Sequence, residues 1–512
     1  MSYLTAFWKR LRDDTSGNTL AICAAAIIPL TAVIGSALDL SVAYMTRARL
    51  QNACDAGVLA GRQYMKGANF NQGVTDEAQK FFDFNFPAGI SGSTDVEFTV
   101  SQDVVQESQL LGVASALVPT SLMRIFGYLN IPIEVTCDAT RDMGHNDIML
   151  VLDVTGSMNA APSNGGGTKI ARLRTGALGL FRALDADDGS VTRFGIMPYS
   201  HTVNVGRSLM NKDILREQEY FSSASCNMFG CTYLMKTVHI NQSSWNIGQG
   251  GGDTGGNTER FRVSGDACIE ERPSIGEAMS PFRINDTISQ ADVDTRAGNA
   301  GNEPELQFGR YDPPMHTYTQ TTVSGGVRFY RIGGNWVQTG CPSEATKLQT
   351  YDSETAYQTA INAATARVTG GTYHDVGMLW GMRFLSRTGF FSDENPTERD
   401  GIPVNQHIVF MTDGMLDTGD LLYSAHGIER YQKRTQGSGT LDDKHIARFH
   451  AACEVAKSMG ITVWVIALDV TDTDDVAQCA TSSSHFYTSD GSDLEQVFEE
   501  IGQGIGNLRL TR

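Results

Sequence analysis

Positive charge is in short supply in this chain. Its 40 lysines and arginines face 58 acidic residues, a formal charge of -18. That excess repels polyphosphate, excludes nucleic acid as a partner and leaves cations as the natural counterpart. Paired cysteine motifs are missing too. None of the nine cysteines stands in a CxxC redox pair or at zinc-ribbon spacing, so neither thiol redox chemistry nor a structural zinc site is expected. The stretch GGGTK at 165–169 ends with Thr and Lys in the reverse order from a nucleotide-binding loop, which removes that reading. The acid that closes the apolar run DIMLVLD, Asp153, is followed two residues later by Thr155 rather than by a second acid. The D-x-D pair that aspartyl-phosphate chemistry would use is therefore absent, and no enzymatic activity is expected.

Long uncharged stretches are scarce as well, and the one near the N-terminus stands out for that reason. Leu20 to Leu38, LAICAAAIIPLTAVIGSAL, carries no charge and as a helix would reach about 28 Å, one hydrocarbon core. Lys9, Arg10 and Arg12 precede it and Asp39 follows, so the expected orientation is a cytoplasmic tail with an exported body. The alternative is a cleaved signal peptide, because Gly35 to Ala37 has small residues at suitable spacing. The apolar run is longer than such peptides carry, which favours an uncleaved anchor. Cys23 lies inside the span. Cys54, Cys137, Cys226, Cys231, Cys268, Cys341, Cys453 and Cys479 remain outside it, an even number that implies disulfides in an oxidising compartment, with the pairing open.

Beyond the span, Asp39 to Met65 has no proline and is rich in Ala, Leu, Arg and Gln, so the helix continues outward as a stalk. The expected organisation is a tail over 1–18, membrane helix and stalk over 19–66, a small α+β module over 67–142, and an α/β domain over 143–512. In the module a helical stretch around Glu77 to Phe84 is followed by the alternating runs VEFTV at 96–100 and IPIEVTC at 131–137. From Asp147 apolar strands alternate with helices. DIMLVLD (147–153) reads as a strand covered on both faces, and Lys169 to Leu184 carries a helical apolar stripe. Further strands are expected at 193–199, 407–413, 461–469 and 485–488. Helices follow at 445–460, with Gly460 as its C′ cap, and at 492–508, with a capping box of Ser492 and Glu495. This alternation predicts an open, doubly wound, Rossmann-like sheet. Residues 206–348 break it. They are dense in Gly, Ser, Asn and Thr, carry four cysteines, and read as an inserted, disulfide-stapled subdomain with Gly-rich loops.

Ligands of such sheets sit beyond the carboxyl ends of the strands, where Asp153, Thr155 and Ser157 fall. Oxygen side chains at alternate positions of a tight turn suit one hard divalent cation. Asp413 in VFMTDG is a second acid at a strand end, and Thr372 in TGGTYHD is a hydroxyl behind two glycines at a helix start. The set Asp153-x-Thr155-x-Ser157, Thr372, Asp413 resembles the metal-ion-dependent adhesion site (MIDAS) of von Willebrand factor type A (vWA) domains, with Thr155 where the family usually has Ser. The resemblance implies that Thr155, Ser157 and Thr372 ligate Mg²⁺, with Ca²⁺ and Mn²⁺ as alternatives. Asp153 and Asp413 would act largely through water, and the open position would take an acidic side chain of a partner protein.

The segment over roughly residues 14–64, in the stretch that opens with DDTSGNTLAICAAAIIPL, resembles the membrane segment of TadE/TadG-like proteins of tight-adherence (Flp) pilus assembly, whose TadG-like members carry such a domain. Small pilin-like relatives need Glu five residues after the processed Gly, and after Gly17 that place is Ile22, so prepilin-type cleavage is not expected. The implied protein is a single-pass bacterial inner-membrane protein with its body in the periplasm or envelope. Its expected work is pilus assembly or adhesion through a metal-bound partner, without catalysis; the alternative is a structural envelope stalk whose metal only stabilises the fold. Among neighbouring residues, His374, just after Thr372, reads as a surface residue, with a place near the metal as the alternative; Trp380 reads as core with Val376 and Phe384, and Glu270–Arg272 as an ion-pair segment, with a partner contact as the alternative.

Overall fold

The structure is a computed structural model that describes residues 18–65, 70–104, 109–141, 144–184, 190–209, 218–238, 267–277, 282–296, 304–399, 401–506 and 508–510. The expected tail to residue 17 and the Gly-rich loops at 246–261 lie outside these. The chain divides into two compact units, one built from the N-terminal 143 residues with the closing segment, the other from 144–186 and 190–505.

The first unit is built on a continuous helix, α1 (Asn18–Tyr64), with Pro29 inside it. Its apolar half is, among the described residues, the one stretch long and apolar enough to cross a membrane, with mean hydropathy 1.8 in its most apolar window. The second half is not a free stalk. Leu50, Ala53, Cys54 and Val58 are fully buried and form one core with α2 (Gln72–Asn85) and the sheet of β1 (Thr94–Gln102), β2 (Gln109–Pro119) and β3 (Asn130–Arg141). A disulfide, Cys54–Cys137, fastens α1 to β3. The helix therefore serves as the core element of the module it was expected to precede. Strand β2 escaped the sequence because its inward positions include Gly112, Ala114 and Ala116, too small to register as an alternating apolar pattern.

The second unit is a mixed α/β structure. Its strands are β4 (His145–Asp153), β5 (Thr192–Tyr199), β6 (Gln218–Asn227), β7 (Gly230–Val238), β8 (Tyr318–Ser324), β9 (Val327–Ile332), β10 (Asn335–Thr339), β11 (Thr346–Gln349), β12 (Ile402–Thr412), β13 (Thr462–Leu468) and β14 (Phe486–Ser489). Its longer helices are α3 (Lys169–Leu184), α4 (Glu354–Ala364), α5 (His374–Leu385), α6 (Leu441–Ser458) and α7 (Leu494–Ile505). The main sheet runs β11-β5-β4-β12-β13-β14, with the two-residue strand Glu398–Arg399 paired to β12, and is parallel except for that short strand and the edge strand β11. Strand β4 is buried along its whole length. Its Met149 and Val151 join one core with α5 and α6, and its Ile148, Leu150 and Leu152 join another with α3, α4 and α7. A period of two thus feeds two faces, which is why the sequence shows an unbroken apolar run.

The expected strands and α3 stand within a few residues of their predicted ends, and Gly460 takes the left-handed conformation (φ 79°) just past α6. The capping box at α7 does not form. Ser492 Oγ donates to Asp490 Oδ1, and Glu495 is drawn away to pair with Arg182. The segment expected as an insertion holds the β6–β7 hairpin, clipped by Cys226–Cys231, and the β8-β9-β10 sheet, with Cys268–Cys341 closing a long loop. Its last residues, 346–348, belong instead to β11, the edge of the main sheet. The fourth disulfide, Cys453–Cys479, lies under α6.

Candidate metal centre

The register β4·β12·β13 places Leu152 opposite Met411 and Thr412 opposite Ala467, so the chain leaves three neighbouring strands at one level. Each strand is followed or closed by an acid: Asp153, Asp413 and Asp469. Asp153 is fully buried. Its Oδ1 accepts the Thr155 N–H at 2.8 Å and its Oδ2 accepts the Thr412 hydroxyl at 2.8 Å. Thr155 Oγ1 lies 2.9 Å from Ser157 Oγ, and Ser157 Oγ donates to Asp413 Oδ1 at 2.7 Å. Four of the five expected residues therefore form one connected constellation, although Ser157 and Asp413 are 256 positions apart.

The fifth, Thr372, is placed by the backbone. Gly156 N–H donates to Gly370 O at 3.1 Å, and Thr369 N–H to Val154 O at 2.9 Å, so the Thr372 loop is sewn to the Asp153 loop. Thr372 itself exchanges two backbone bonds with Asp417 in the loop beyond Asp413. Gly370 has φ 80°, and a Cβ there would lie 1.7 Å from His201 Nδ1. Only glycine allows this approach.

Two buried carboxylates at one strand edge repel each other. Burial, with the charge of Asp413 second, pushes the Asp153 carboxyl up from 3.8 to about 7, against the lowering effect of its hydrogen bonds. Asp413 Oδ2 is buried and takes no hydrogen bond, and the Lys169 ammonium stands 3.3 Å from it. This donor set, two carboxylates and two hydroxyls with an unbonded carboxylate oxygen, fits a hard divalent cation.

Sequence reasoning missed Lys169 and Asp469 here and preferred the wrong place for His374. Lys169, at the start of α3, bridges Asp413 and Asp469, at 3.3 Å from each. Asp469, in left-handed conformation at φ 58°, accepts the Ser163 N–H at 3.1 Å and the Ser163 hydroxyl. The signal was available: ITVWVIALD ends an apolar run on an acid, as DIMLVLD does. His374, expected at the surface, is fully buried instead. Its Nε2 lies 3.0 Å from Thr412 Oγ1, so His374 orients the hydroxyl that holds Asp153. Burial lowers its imidazole to about 3, which keeps it neutral.

The neighbouring expectations resolve clearly. Trp380 is fully buried beside Phe384 and Phe390, and Glu270 and Glu271 form buried ion pairs with Arg434 and Arg383. A separate group, Asp375, His426 and His445, brings one ligand-type atom from each within 4.8 Å. There Arg448 Nε stands 3.3 Å and His445 Nδ1 3.0 Å from the two carboxylate oxygens. The acid already has its counter-charge, and the group ties α5 to α6.

A cleft of about 840 Å³ opens beside the Asn159 and Thr168 ends of the first loop and is lined by Arg174, Arg310, Arg328 and Arg367, with Asp312 among them. Arg310 is ion-paired with Asp312 at 2.7 Å, so the cleft's excess of positive charge comes from Arg174, Arg328 and Arg367.

Comparison with known proteins yields one family match. The model of the putative Flp pilus-assembly TadE/G-like family matches residues 17–69, which is essentially α1. No curated protein matches. Solved structures with some likeness include the pilus adhesin SpaC of Lactobacillus rhamnosus GG (12% identity, TM-score 0.31, 80% of this chain and 34% of that one). Another is the vWF domain of the type V pili tip protein Mfa5 from Porphyromonas gingivalis (14%, 0.21, 71% and 95%). A third is proximal thread matrix protein 1 of the mussel byssus with a zinc-occupied MIDAS motif (9%, 0.30, 73% and 48%). The chain spans about a third of SpaC and about half of the mussel protein.

Proposed function

We propose that this is a membrane-anchored, envelope-exposed pilus-assembly or adhesion protein of the TadG-like kind. In this reading the larger unit is a doubly wound vWA domain that binds a protein partner through a Mg²⁺-dependent site. The observation that carries the proposal is the linked set Asp153–Thr155–Ser157–Asp413, with both acids buried and Asp153 held near 7. Thr155, Ser157 and Asp413 would hold the cation, with Thr372 beside them. Bound there, it supplies a Lewis-acidic position for an incoming carboxylate. The chain's own residues set that position: Thr412 and His374 fix the Asp153 carboxylate, and Lys169 holds Asp413 toward the first loop. The arginine-lined cleft supports an acidic partner segment leading to the site. The role is binding, not catalysis. The body stands on the periplasmic side of the inner membrane, with α1 as anchor.

Lys169 favours a second reading, in which a built-in cation satisfies the acids and the site only stabilises an envelope stalk. One experiment separates the two. The full chain in detergent micelles is used to capture proteins from an envelope extract, with Mg²⁺ or EDTA, beside a variant carrying Asp153→Ala, Ser157→Ala and Asp413→Ala. A partner lost with EDTA and in the variant supports the adhesion reading. Capture of the same proteins in all arms overturns it. Truncation before residue 68 is unsuitable, because it would remove the helix on which the first unit is built.

A further inference from the structure

The loop between β2 and β3 leaves four large apolar side chains open: Ile125 at 70%, Leu129 at 64%, Tyr128 at 63% and Phe126 at 43% exposure. The loop is not free to fold them inward, because its base is clamped. The buried carboxylate of Asp39 accepts the N–H groups of Ser121, Leu122 and Met123 at 2.8, 3.0 and 2.7 Å. Thr120 Oγ1 donates to the carbonyls of Tyr128 and Leu129. Leu122 packs so closely on α1 that a Cβ at Gly35 would lie 2.6 Å from Leu122 Cβ.

The clamp sits at a telling level. Asp39 is the first charge after the uncharged run that ends at Leu38, and Gly35 lies one turn inside that run. At helical rise these two residues are about 6 Å apart along the axis, within the depth at which interfacial segments lie in a bilayer. Along the same run Ile27, Leu30, Val33, Ile34 and Leu38 are each more than half exposed, as lipid-facing residues would be. The composition of the loop also suits a lipid boundary. Tyr128 is an amphipathic aromatic, and exposed Arg124 can lay its stem on apolar surface with its guanidinium among headgroups.

We propose that residues 120–129 form an interfacial anchor, inserted at the headgroup and acyl-chain boundary of the bilayer that α1 crosses. This inference rests on the reading of α1 as a membrane span. The occupant of the apolar face is lipid, because the face continues the apolar surface of α1 at the point where that surface ends. A single helix leaves rotation and tilt free; a second contact, held to it by Asp39, would fix both.

The test uses the full chain carrying Cys23→Ser, reconstituted without reductant in phosphatidylcholine–phosphatidylglycerol vesicles. A nitroxide is placed at Phe126→Cys, and its collisions with oxygen and with a water-soluble nickel chelate are measured. Val33→Cys, in the middle of the run, is the lipid reference. Val104→Cys, 93% exposed near the opposite end of the sheet, is the aqueous reference. The expected oxygen-to-nickel ratio at 126 lies well above that at 104, approaching the value at 33. A ratio at 126 equal to that at 104, with 33 lipid-like, overturns the anchor and leaves the span intact. An aqueous ratio at 33 overturns the span itself. A label at 126 shielded from both reagents also overturns the proposal, since protein would then cover the loop.

Discussion

Asp153→Asn separates the electrostatics of the site from its packing. The carboxyl is fully buried and held at about 7 instead of 3.8. A shift of about 3 units at roughly 1.4 kcal/mol each corresponds to about 4 kcal/mol. Because the folded-state value is raised, the folded carboxyl binds its proton more tightly than the unfolded one. The penalty from this one group is therefore absent at low pH, grows as pH rises from about 4 to about 7, and is fully present at pH 8. The amide removes that charge and can keep the contacts. Its oxygen accepts the Thr155 N–H, and its NH₂ donates to Thr412 Oγ1, whose hydroxyl can turn to Gly414 O at 3.1 Å. In EDTA at pH 8 the variant is expected to melt above the parent, by up to about 4 kcal/mol, on the order of 5–10 °C.

The assay is thermal unfolding of the full chain in micelles, followed by the fluorescence of buried Trp380 and Trp464. At pH 5 the gap between parent and variant should shrink to less than half of its size at pH 8, and near pH 4 it should largely close. Adding Mg²⁺ at 100 times its dissociation constant should raise the parent by about 2.7 kcal/mol and leave the variant in place. A variant that melts below the parent in EDTA at pH 8, or that gains equally from Mg²⁺, would refute the argument that the two acids are poised for a cation.

Three further outcomes are expected. Gly370→Ala forces a left-handed residue and a clash with His201, so it should cost at least about 1–2 kcal/mol and abolish the Mg²⁺-induced rise in Tm; an unchanged rise would show that this loop does not shape the site. Arg383→Met strands Glu271, whose two oxygens it holds at 2.9 and 3.0 Å, and should cost about 3–5 kcal/mol, with Glu271→Gln in the same chain recovering part of it in urea unfolding. Burial lowers His201 and His407 to about 4 and His316 to about 3, from 6.5. These groups stay neutral in the fold while the unfolded chain takes up protons, so the stability they contribute is present above pH 6.5 and is lost as pH falls toward 4. A Tm that stays level from pH 7 to pH 4.5 in the Asp153→Asn variant would contradict this.

Strand β4 and helix α3 were legible because their apolar residues repeat at two periods that only burial explains. What the sequence concealed was of a different physical kind. β2 packs through Gly and Ala, whose small side chains carry little hydropathy signal but let Val58 and Phe98 close on Gly112. The outward half of α1 reads as a polar stalk, yet a disulfide and a stripe of Leu50, Ala53, Cys54 and Val58 turn it into a core helix. At the site, Asp153, Thr155, Ser157 and Asp413 were found from local spacing and strand ends. Lys169 was overlooked because its role depends on two acids that arrive from 244 and 300 residues away, at 413 and 469. His374 acts through one hydroxyl, Thr412, and nothing in its local sequence announces that contact.

The charges at the strand ends bear on which cation the site would take. Lys169 stands equally close to Asp413 and Asp469. Asp469 has further support from Ser163 and is held below the usual carboxylate range, so it can balance the ammonium. That leaves Asp153 and Asp413, both buried, with two negative charges and hydroxyls between them. A monovalent ion would leave one charge uncompensated in a dry site, whereas a divalent ion would neutralise both. Neutral hydroxyl donors would also leave such an ion able to attract a third carboxylate. The overall acidity of the chain opposes an acidic partner at long range, and salt screens that repulsion within about 10 Å. At short range Arg174, Arg328 and Arg367 of the adjoining cleft oppose that repulsion. On this account Arg328→Glu and Arg367→Glu together should slow partner association without altering the Mg²⁺-dependent rise in Tm. Loss of that rise would mean that the cleft shapes the cation site itself.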